Sequence, residues 1–341
     1  MSEKETKFIK NEHVLTVALC SIAIPLSMSM WIINIIYSKY LAENSSYDEP
    51  IVIPPTKWMV SCFIPLLIAV YGYKKRSINL SGAVSGLLIA FILTLSSYGF
   101  LAAIFTFFIT SSKATKVKSH LKRKFEADFK EGGQRNWIQV LCNGGMAAQL
   151  ALLYLLDVGS SERPIDFVKD YRSSWLSIGI LGVFACCNGD TWASEIGTVF
   201  SSSDPYLITS WKKVPRGTNG GVTFIGTVFS GLGGFVIGLS QYFVLYLFSD
   251  KSSWDYAPPQ WPIILMGTIS GLLGSLVDSI LGATLQFSGL NKEGKIVNHS
   301  YDAVKHISGW NILDNHSVNL ISTIIIGLLT PTLSKNLWPL F

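Results

Sequence analysis

Residues 221–248 read GVTFIGTVFSGLGGFVIGLSQYFVLYLF, a run without a single charged side chain. A helix needs about 20 consecutive apolar residues to cross the hydrocarbon core of a bilayer. Small residues recur in this run at every fourth position, at Gly226, Ser230, Gly234 and Gly238. That spacing lets two helices approach closely in lipid. The run is therefore predicted to be a membrane-spanning helix that packs tightly against a neighbour.

The rest of the chain carries similar apolar blocks. Only 14% of the 341 residues are charged, against about 25% in a typical soluble domain. This composition excludes an ordinary water-soluble enzyme. The predicted spans are 14–37, 58–73, 80–95, 98–111, 137–156, 174–199, 221–248, 261–284 and 317–334. The predicted fold class is all-α, a polytopic integral membrane bundle of eight or nine transmembrane helices with Gly-rich packing faces.

The distribution of basic residues predicts how the chain is oriented. Twenty of the 27 Lys and Arg residues fall on the side of the membrane that holds the N-terminus, and seven fall on the other. Because cytoplasmic loops are enriched in Lys and Arg, the N-terminus is predicted to be cytosolic. We expect an endomembrane, in particular the endoplasmic reticulum. The predicted parts are a signal anchor with the second span (1–75), a membrane domain (76–334) and a short tail (335–341).

Acidic residues lie inside two of the predicted spans. The sixth span contains NGDTWASEIG (188–197), with Asp190 and Glu195, and the eighth contains GSLVDS (274–279), with Asp278. Each acid costs about 2.5–3.5 kcal/mol at the centre of a membrane helix. The three acids should therefore face water, a cation or one another. Snorkelling to the interface is the alternative, but three acids beside Asn, Thr and Ser favour a functional site.

Helix geometry limits how these acids combine. On an ideal helix Glu195 lies about 140° from Asp190. The two can bind one ion only if the helix is broken, and Asn188-Gly189 is the predicted break. Asp278 shares its helix face with Gly267, Gly271, Gly274 and Gly282. Oxygen ligands without His or Cys at ligand spacing favour Mg²⁺ over Zn²⁺.

Site roles follow from these positions. The predicted catalytic residues and Mg²⁺ ligands are Asp190, Glu195 and Asp278, and the predicted substrate-binding residues are Asn188, Ser194 and Ser279.

A basic, Gly-rich loop, WKKVPRGTNGG (211–221), precedes the seventh span. Glycines leave backbone N–H groups free to cradle a phosphate, and a helix N-terminus favours anions. Arginine adds a fork that matches phosphate, and lysine adds a point charge. The predicted nucleotide-binding residues are Lys213, Arg216, Thr218, Gly220 and Gly221.

Three segments, NGDTWASEIG (188–197), VPRGTNGGVT (214–223) and GSLVDS (274–279), resemble the transmembrane-protein-nineteen family of animals. That family is related to the phytyl-phosphate kinase of plant chloroplasts. The resemblance covers about residues 70–330. More loosely, the pattern D-x-x-A-x-x-x-G that begins at Asp190 resembles the CTP site of polyprenol kinases and CDP-diacylglycerol synthases. The resemblance implies phosphoryl transfer to an isoprenoid monophosphate or another lipid phosphate.

The sequence therefore predicts a Mg²⁺-dependent membrane kinase that uses a nucleoside triphosphate, with CTP as the suggested donor. The expected partners are the lipid bilayer, the nucleotide and a lipid phosphate, and no nucleic acid. An ion-coupled secondary transporter is the alternative, because paired acids in Gly-interrupted helices are also typical of carriers. A scaffold that keeps the fold without activity is a third reading. The oligomeric state is left open.

Overall fold

The structure, a computed structural model, describes residues 25–36, 53–117, 133–301 and 304–341. Helices dominate these ranges. They are α1 (Pro25–Ile36), α2 (Pro55–Lys74), α3 (Leu80–Ser96), α4 (Tyr98–Lys116), α5 (Trp137–Asp157), α6 (Tyr171–Trp192), α7 (Phe224–Phe248), α8 (Lys251–Asp255), α9 (Pro262–Leu285) and α10 (Asn315–Leu337). The predicted all-α class is confirmed.

Within the described ranges, six helices are long and apolar enough to cross a membrane. They are α2, α5, α6 with its continuation to Phe200, α7, α9 and α10 with its continuation to Leu340. Helix α3 is apolar but has only 17 residues. The membrane bundle is thus confirmed, while the count of eight or nine spans stays a prediction. The first predicted span, 14–37, lies largely outside the described residues.

Helices α3 and α4 form a hairpin rather than one long helix. Ser97 between them has an extended backbone, and the carboxylate of Glu162 accepts from the first N–H of α4 at 2.8 Å. At the far ends of the pair, Asn79 N–H donates to the Arg135 carbonyl at 3.0 Å, and the Arg135 guanidinium donates to Ser112 Oγ at 2.8 Å. Both outer ends therefore lie beside the same residue, which agrees with dividing residues 80–111 into two helices.

Helices α6, α7 and α9 pack against one another at glycine residues. A Cβ built on Gly189 would lie 2.7 Å from Gly271 Cα and 2.8 Å from Ser230 O, and one built on Gly267 would lie 2.7 Å from Gly234 O. Larger side chains there would force the helices apart. The predicted small-residue stripes are thus the contact surfaces, and they fix the spacing of the acids on α6 and α9.

Loop contacts define two ends of the bundle. Gln260 donates to Ile165 O at 2.8 Å, and Lys57 pairs with Glu162. These contacts gather the loops after α5 and α7 beside the start of α2, and we name this the closed end. The loops that follow α2, α6 and α9 and the described residues 133–136 before α5 lie at the other end, which we name the open end. Large buried side chains such as Tyr154 fill the interior toward the closed end.

Two small antiparallel sheets lie in the loops of the open end. Strand β1 (Tyr206–Leu207) pairs with β2 (Gly221–Val222). Strands β3 (Ser288–Leu290), β4 (Ile296–Val297) and β5 (Lys305–Ser308) form the second sheet, in the order β4-β3-β5. The two sheet regions contact each other, because Asn219 N–H donates to Ser288 Oγ at 3.0 Å.

Candidate functional site

A polar cavity of about 510 Å³ lies at the open end. The last turns of α6 and α9, the first turns of α5, α7 and α10, and the loop before α7 form its walls. Most of the predicted site residues line it: Asp190, Ser194, Glu195, Arg216, Thr218, Gly220, Gly221, Asp278 and Ser279. The folded chain thus brings both acid-bearing segments and the Gly-rich loop to one cavity.

An irregular helical turn lies between Asp190 and Glu195 along the chain. The chain continues from α6 as a π-helical turn over Ala193–Gly197. A π-turn winds more residues into each turn than an α-helix and occurs frequently at functional sites. The break predicted at Asn188-Gly189 is wrong, because both residues are buried in regular helix and Gly189 packs on α9. The helix does depart from ideal geometry, but a few residues later.

Hydrogen bonds hold the Asp278 carboxylate in place. Its Oδ2 lies 3.4 Å from Ser322 Oγ, and it accepts from the Asn319 amide at 3.1 Å when that amide is oriented by its hydrogen-bond partners. The Asn319 amide oxygen then faces the Asn143 side-chain amide at 3.2 Å and accepts from its NH₂ group when that amide is oriented in the same way. A polar chain therefore runs from Asp278 on α9 through α10 to α5.

Asp190 shares the cavity with two other acids, Glu195 and Asp278. The charges of Asp278 and Glu195 both act on Asp190. Neither Asp190 nor Asp278 forms a salt bridge with any residue that the structure describes. Clustered carboxylates repel one another unless a cation or a proton lies between them, so this part of the cavity is suited to a positively charged ligand.

Mg²⁺ fits this arrangement as part of a complex. Across the described ranges, no three His, Cys, Asp or Glu side chains come close enough together to hold one metal ion. The three predicted ligands therefore do not form a preformed cage. Mg²⁺ usually keeps several waters and takes one or two protein carboxylates together with substrate phosphates. Asp190 and Asp278 meet that requirement as a pair, and Mg²⁺ remains a prediction.

Another part of the lining is suited to anions. Helices α5 and α7 begin at the cavity with the neutral caps Asn136 and Thr223, and Asp190 and Asp278 lie on helices that end there. A helix N-terminus carries about half a positive charge. Arg135 and Arg216 also line the cavity. The cavity thus combines a cation-binding part with an anion-binding part, as a metal–phosphate ligand requires.

Two predicted site residues do not reach the cavity. Lys213 lies in a surface depression, where its Nζ is 5.9 Å from the centre of the Tyr206 ring. An isolated β-bridge between the same two residues holds the loop in this position. Asn188 is buried, and its Oδ1 accepts from Thr110 Oγ1 at 2.8 Å and Ser111 Oγ at 3.0 Å. Asn188 therefore joins α6 to α4 rather than binding substrate.

The Gly221 N–H and the Thr218 hydroxyl form hydrogen bonds within the loop, so they are not directed at a phosphate. The Gly221 N–H donates to Thr218 O at 3.0 Å, and the Thr218 hydroxyl donates to Pro215 O at 2.7 Å. Gly220 has φ of 76°, and a Cβ there would lie 2.7 Å from the backbone nitrogen of Ala283 on α9. The glycine therefore allows the loop to lie directly on α9, and the predicted contact of the Gly221 amide with phosphate is corrected.

Sequence reasoning missed Arg135, which it counted only as a loop charge. The residue is 8% exposed and lines the cavity. Burial lowers the pKa of Arg135 and the charge of Glu195 raises it, and guanidinium stays protonated in either case. A basic residue directly before the cap of a predicted span was the available signal.

The fold and the cavity define a polytopic integral membrane protein with a polar site between its helices. The chain belongs to the DUF92 family, because the family described as "Integral membrane protein DUF92" matches residues 63–327.

The relatives include plant and archaeal proteins. Protein PGR of Arabidopsis thaliana is 42% identical over 278 residues, covering 81% of this chain and 96% of the relative. Protein VTE6, chloroplastic, of the same plant is 30% identical over 258 residues, covering 74% of this chain and 69% of the relative. Uncharacterized membrane protein MJ0933 of Methanocaldococcus jannaschii is 28% identical over 271 residues, covering 79% and 91%.

No solved structure matches the chain. The expected relation to plant membrane proteins is confirmed. The narrower assignment to the animal family stays a prediction.

Proposed function

We propose that the chain is a Mg²⁺-dependent membrane kinase that transfers a phosphoryl group from a nucleoside triphosphate to an isoprenoid or other lipid monophosphate. One observation carries the proposal: Asp190 and Asp278, which form no salt bridge with any described residue, share a cavity with two arginines and the N-termini of α5 and α7. Such a cavity is suited to Mg²⁺ and phosphates together. The resemblance to plant phytyl-phosphate kinases supports the same class of acceptor.

The proposed reaction needs little acid–base chemistry. An oxygen of the lipid monophosphate forms a bond to the γ-phosphorus, the bond from that phosphorus to the β-bridging oxygen breaks, and the nucleoside diphosphate leaves. The attacking oxygen is already ionised, so no strong base is required. Phosphoryl transfer is accelerated mainly by positioning and by neutralising charge, and Mg²⁺ would supply part of that neutralisation.

The residues of the cavity have distinct roles in this proposal. Asp190 and Asp278 hold Mg²⁺, and Glu195 adds negative charge beside Asp190. Arg216 and Arg135 neutralise phosphate oxygens. A salt bridge of 3.6 Å between Arg216 Nε and Asp204 holds the first of these arginines at the cavity rim.

The same structure bears on the transporter alternative. Toward the closed end, beyond the acids, the interior is filled by buried apolar residues such as Ile180 and Leu181, both 0% exposed. A carrier opens its site to one side at a time, so the preference for the enzyme rests on the arginines and acids that share the cavity and not on its single opening. The described parts of the loops that are predicted to be cytosolic also lie at the open end. We therefore place the proposed site at the cytosolic face of an endomembrane, which retains the predicted cytosolic N-terminus and the endoplasmic reticulum.

The test uses full-length protein in detergent with Mg²⁺, each of the four nucleoside triphosphates and geranylgeranyl monophosphate. Lipid products are read by mass spectrometry. We expect geranylgeranyl diphosphate from one donor, and a loss of about 100-fold or more in Asp190→Asn, the scale seen when one stabilising electrostatic group is removed.

Asp157→Asn is the matched control. Asp157 is paired with Arg172 at the surface of the closed end, so its loss should leave turnover unchanged. Wild-type turnover by Asp190→Asn would contradict the assigned metal site. Absence of product with all four donors, from protein that is folded, would contradict the kinase. A flux assay in proteoliposomes would then address transport.

A further inference from the structure

An apolar groove adjoins the polar cavity between α2, α3, α4 and α5. Its lining consists of Ile, Phe, Ala, Gly and other apolar residues from all four helices. Three residues line both spaces: Arg135, Gln139 and Asn143. The groove encloses about 80 Å³ and adjoins the cavity at these three side chains. The shared border is polar and carries the positive charge of Arg135.

Arg135 is rigidly held at this junction. Its backbone N–H donates to Ser77 O at 3.1 Å, its carbonyl accepts from Asn79 N–H at 3.0 Å, and its guanidinium donates to Ser112 Oγ at 2.8 Å. These bonds tie the residue to α3 on one side and to α4 on the other. Within the described residues the guanidinium donates this one hydrogen bond, so it is a fixed cation with further N–H donors for a ligand.

We propose that this groove binds the hydrocarbon tail of an isoprenoid monophosphate whose phosphate lies against Arg135 at the entrance to the cavity. The inference rests on the proposed function and adds the place of the acceptor. In this arrangement the nucleotide occupies the part of the cavity near the loop before α7, and the lipid phosphate enters from the α5 side.

The chemistry of the two spaces selects this occupant. A cation at the junction and an apolar channel behind it match an amphiphile with one anionic head and one hydrocarbon tail. A nucleotide has no comparable apolar part, and an ordinary bilayer phospholipid carries two tails that a narrow groove does not accept. An isoprenoid monophosphate has the required shape and charge.

Gly86 on α3 provides a way to fill the groove. It lines the groove, and the nearest atom to a Cβ built there is Val140 Cγ1 at 3.9 Å. A larger side chain therefore enters free space instead of clashing. Gly145 on α5 is the matched control, because a Cβ there meets nothing within 4 Å and the residue does not line the groove.

The experiment uses a geranylgeranyl monophosphate that carries a diazirine at the end of its tail. Full-length protein is irradiated with this probe, and the modified peptides are identified by mass spectrometry. We expect labelling of α2 to α5, and competition by unlabelled geranylgeranyl monophosphate but not by isopentenyl monophosphate. Gly86→Phe should reduce labelling at least tenfold, and Gly145→Phe should not. Labelling confined to α7 and α9, or full labelling of Gly86→Phe, would overturn the proposal, as would equal competition by a diacyl phospholipid.

A second variant tests the position of the head group. Arg135→Gln should weaken labelling by the monophosphate probe at least tenfold while leaving labelling by the corresponding diazirine alcohol unchanged. A purely structural role of Arg135 would weaken both probes equally, and that result would remove the phosphate contact from the proposal.

This binding experiment separates the two proposals. Labelling of the groove without turnover on any nucleotide would leave the lipid site in place and contradict the kinase. Turnover with labelling elsewhere would support the kinase and overturn the groove as the acceptor site.

Discussion

The two ends of the bundle bury charge in different ways. At the closed end, Lys57 Nζ lies 2.5 Å from Glu162 Oε1, and both side chains are 7% exposed. Glu162 also accepts from the Ser97 hydroxyl and from Tyr98 N–H at 2.8 Å, and Lys57 Nζ lies 3.7 Å from the centre of the Tyr98 ring. Every part of this cluster is satisfied within the protein.

At the open end, Asp190 and Asp278 form no salt bridge with any residue in the described ranges. Glu195 lines the same cavity, and among the described residues Asp278 contacts a hydroxyl and an amide group. A satisfied charge cluster holds a fold together, whereas a cluster of like charges in a cavity is typical of a binding or catalytic site. The contrast predicts that mutations at the two ends separate stability from activity.

The largest effect on stability is expected at the closed end. Glu162→Ala leaves the Lys57 charge buried without its partner and removes the carboxylate that caps α4. We expect a loss of about 3–5 kcal/mol, the range for breaking one partner of a buried pair. Thermal unfolding of detergent-purified protein, followed by tryptophan fluorescence, measures it. The double variant Lys57→Met with Glu162→Leu should recover much of the loss.

Thermal unfolding of Asp190→Asn, in contrast, should show no loss of stability. Removing the carboxylate on which the charges of Asp278 and Glu195 act relieves repulsion, so the unfolding temperature should stay the same or rise. A strong destabilisation by Asp190→Asn together with a neutral Glu162→Ala would contradict the assignment of the two ends.

The second effect concerns ligand binding at the open end. Mg²⁺ and a nucleoside triphosphate together should stabilise the protein by about 2.7 kcal/mol at a hundredfold excess over Kd, because they bring a cation to the acids. The shift should require both components and disappear with a chelator or in Asp278→Asn. Asp157→Asn should retain it. A shift of equal size in Asp278→Asn would show that the ligand binds elsewhere.

Much of the fold was predictable from local pattern. Apolar length predicted membrane-spanning helices, and the four-residue spacing of small residues predicted that α7 packs closely on a neighbour, because both depend on residues near one another in sequence. The fold shows that this neighbour is α9. The acids were also predictable as site residues, since a charge at membrane depth is costly whatever its surroundings.

Other features depended on contacts between distant segments. Lys213 points away from the cavity because β-pairing orients its loop. The Asn188 side chain accepts hydrogen bonds from two hydroxyl groups of α4. Arg135 differs from the other loop charges in its contacts with α4 and with the residues before α3, and these contacts join segments that are distant in sequence. On a regular α-helix Asp190 and Glu195 point in different directions, so binding of one ion by both predicted an irregular helix between them. Only the fold showed that the irregularity is a π-turn.

The smallest effect concerns a second carboxylate cap, at the exposed start of α10. Asp314 Oδ1 accepts from Ser317 N–H at 2.8 Å, as Glu162 accepts at α4, but in contact with solvent and without a buried lysine. Asp314→Ala should cost about 1 kcal/mol at neutral pH, the usual value of an N-cap. Hydrogen bonds from the Ser317 side chain and backbone lower the pKa of Asp314.

The sign of the pH dependence follows from that lowered pKa. The contribution of the charged cap is present above the pKa of the unfolded chain and is lost as the pH falls through the lower pKa of the folded protein. The difference in unfolding temperature between wild type and Asp314→Ala should therefore shrink between neutral pH and about pH 3. A difference that stays constant over this range would mean that the carboxylate charge does not contribute to the cap. The carboxylate caps of α4 and α10 would then differ in whether their charge contributes to stability as well as in their burial.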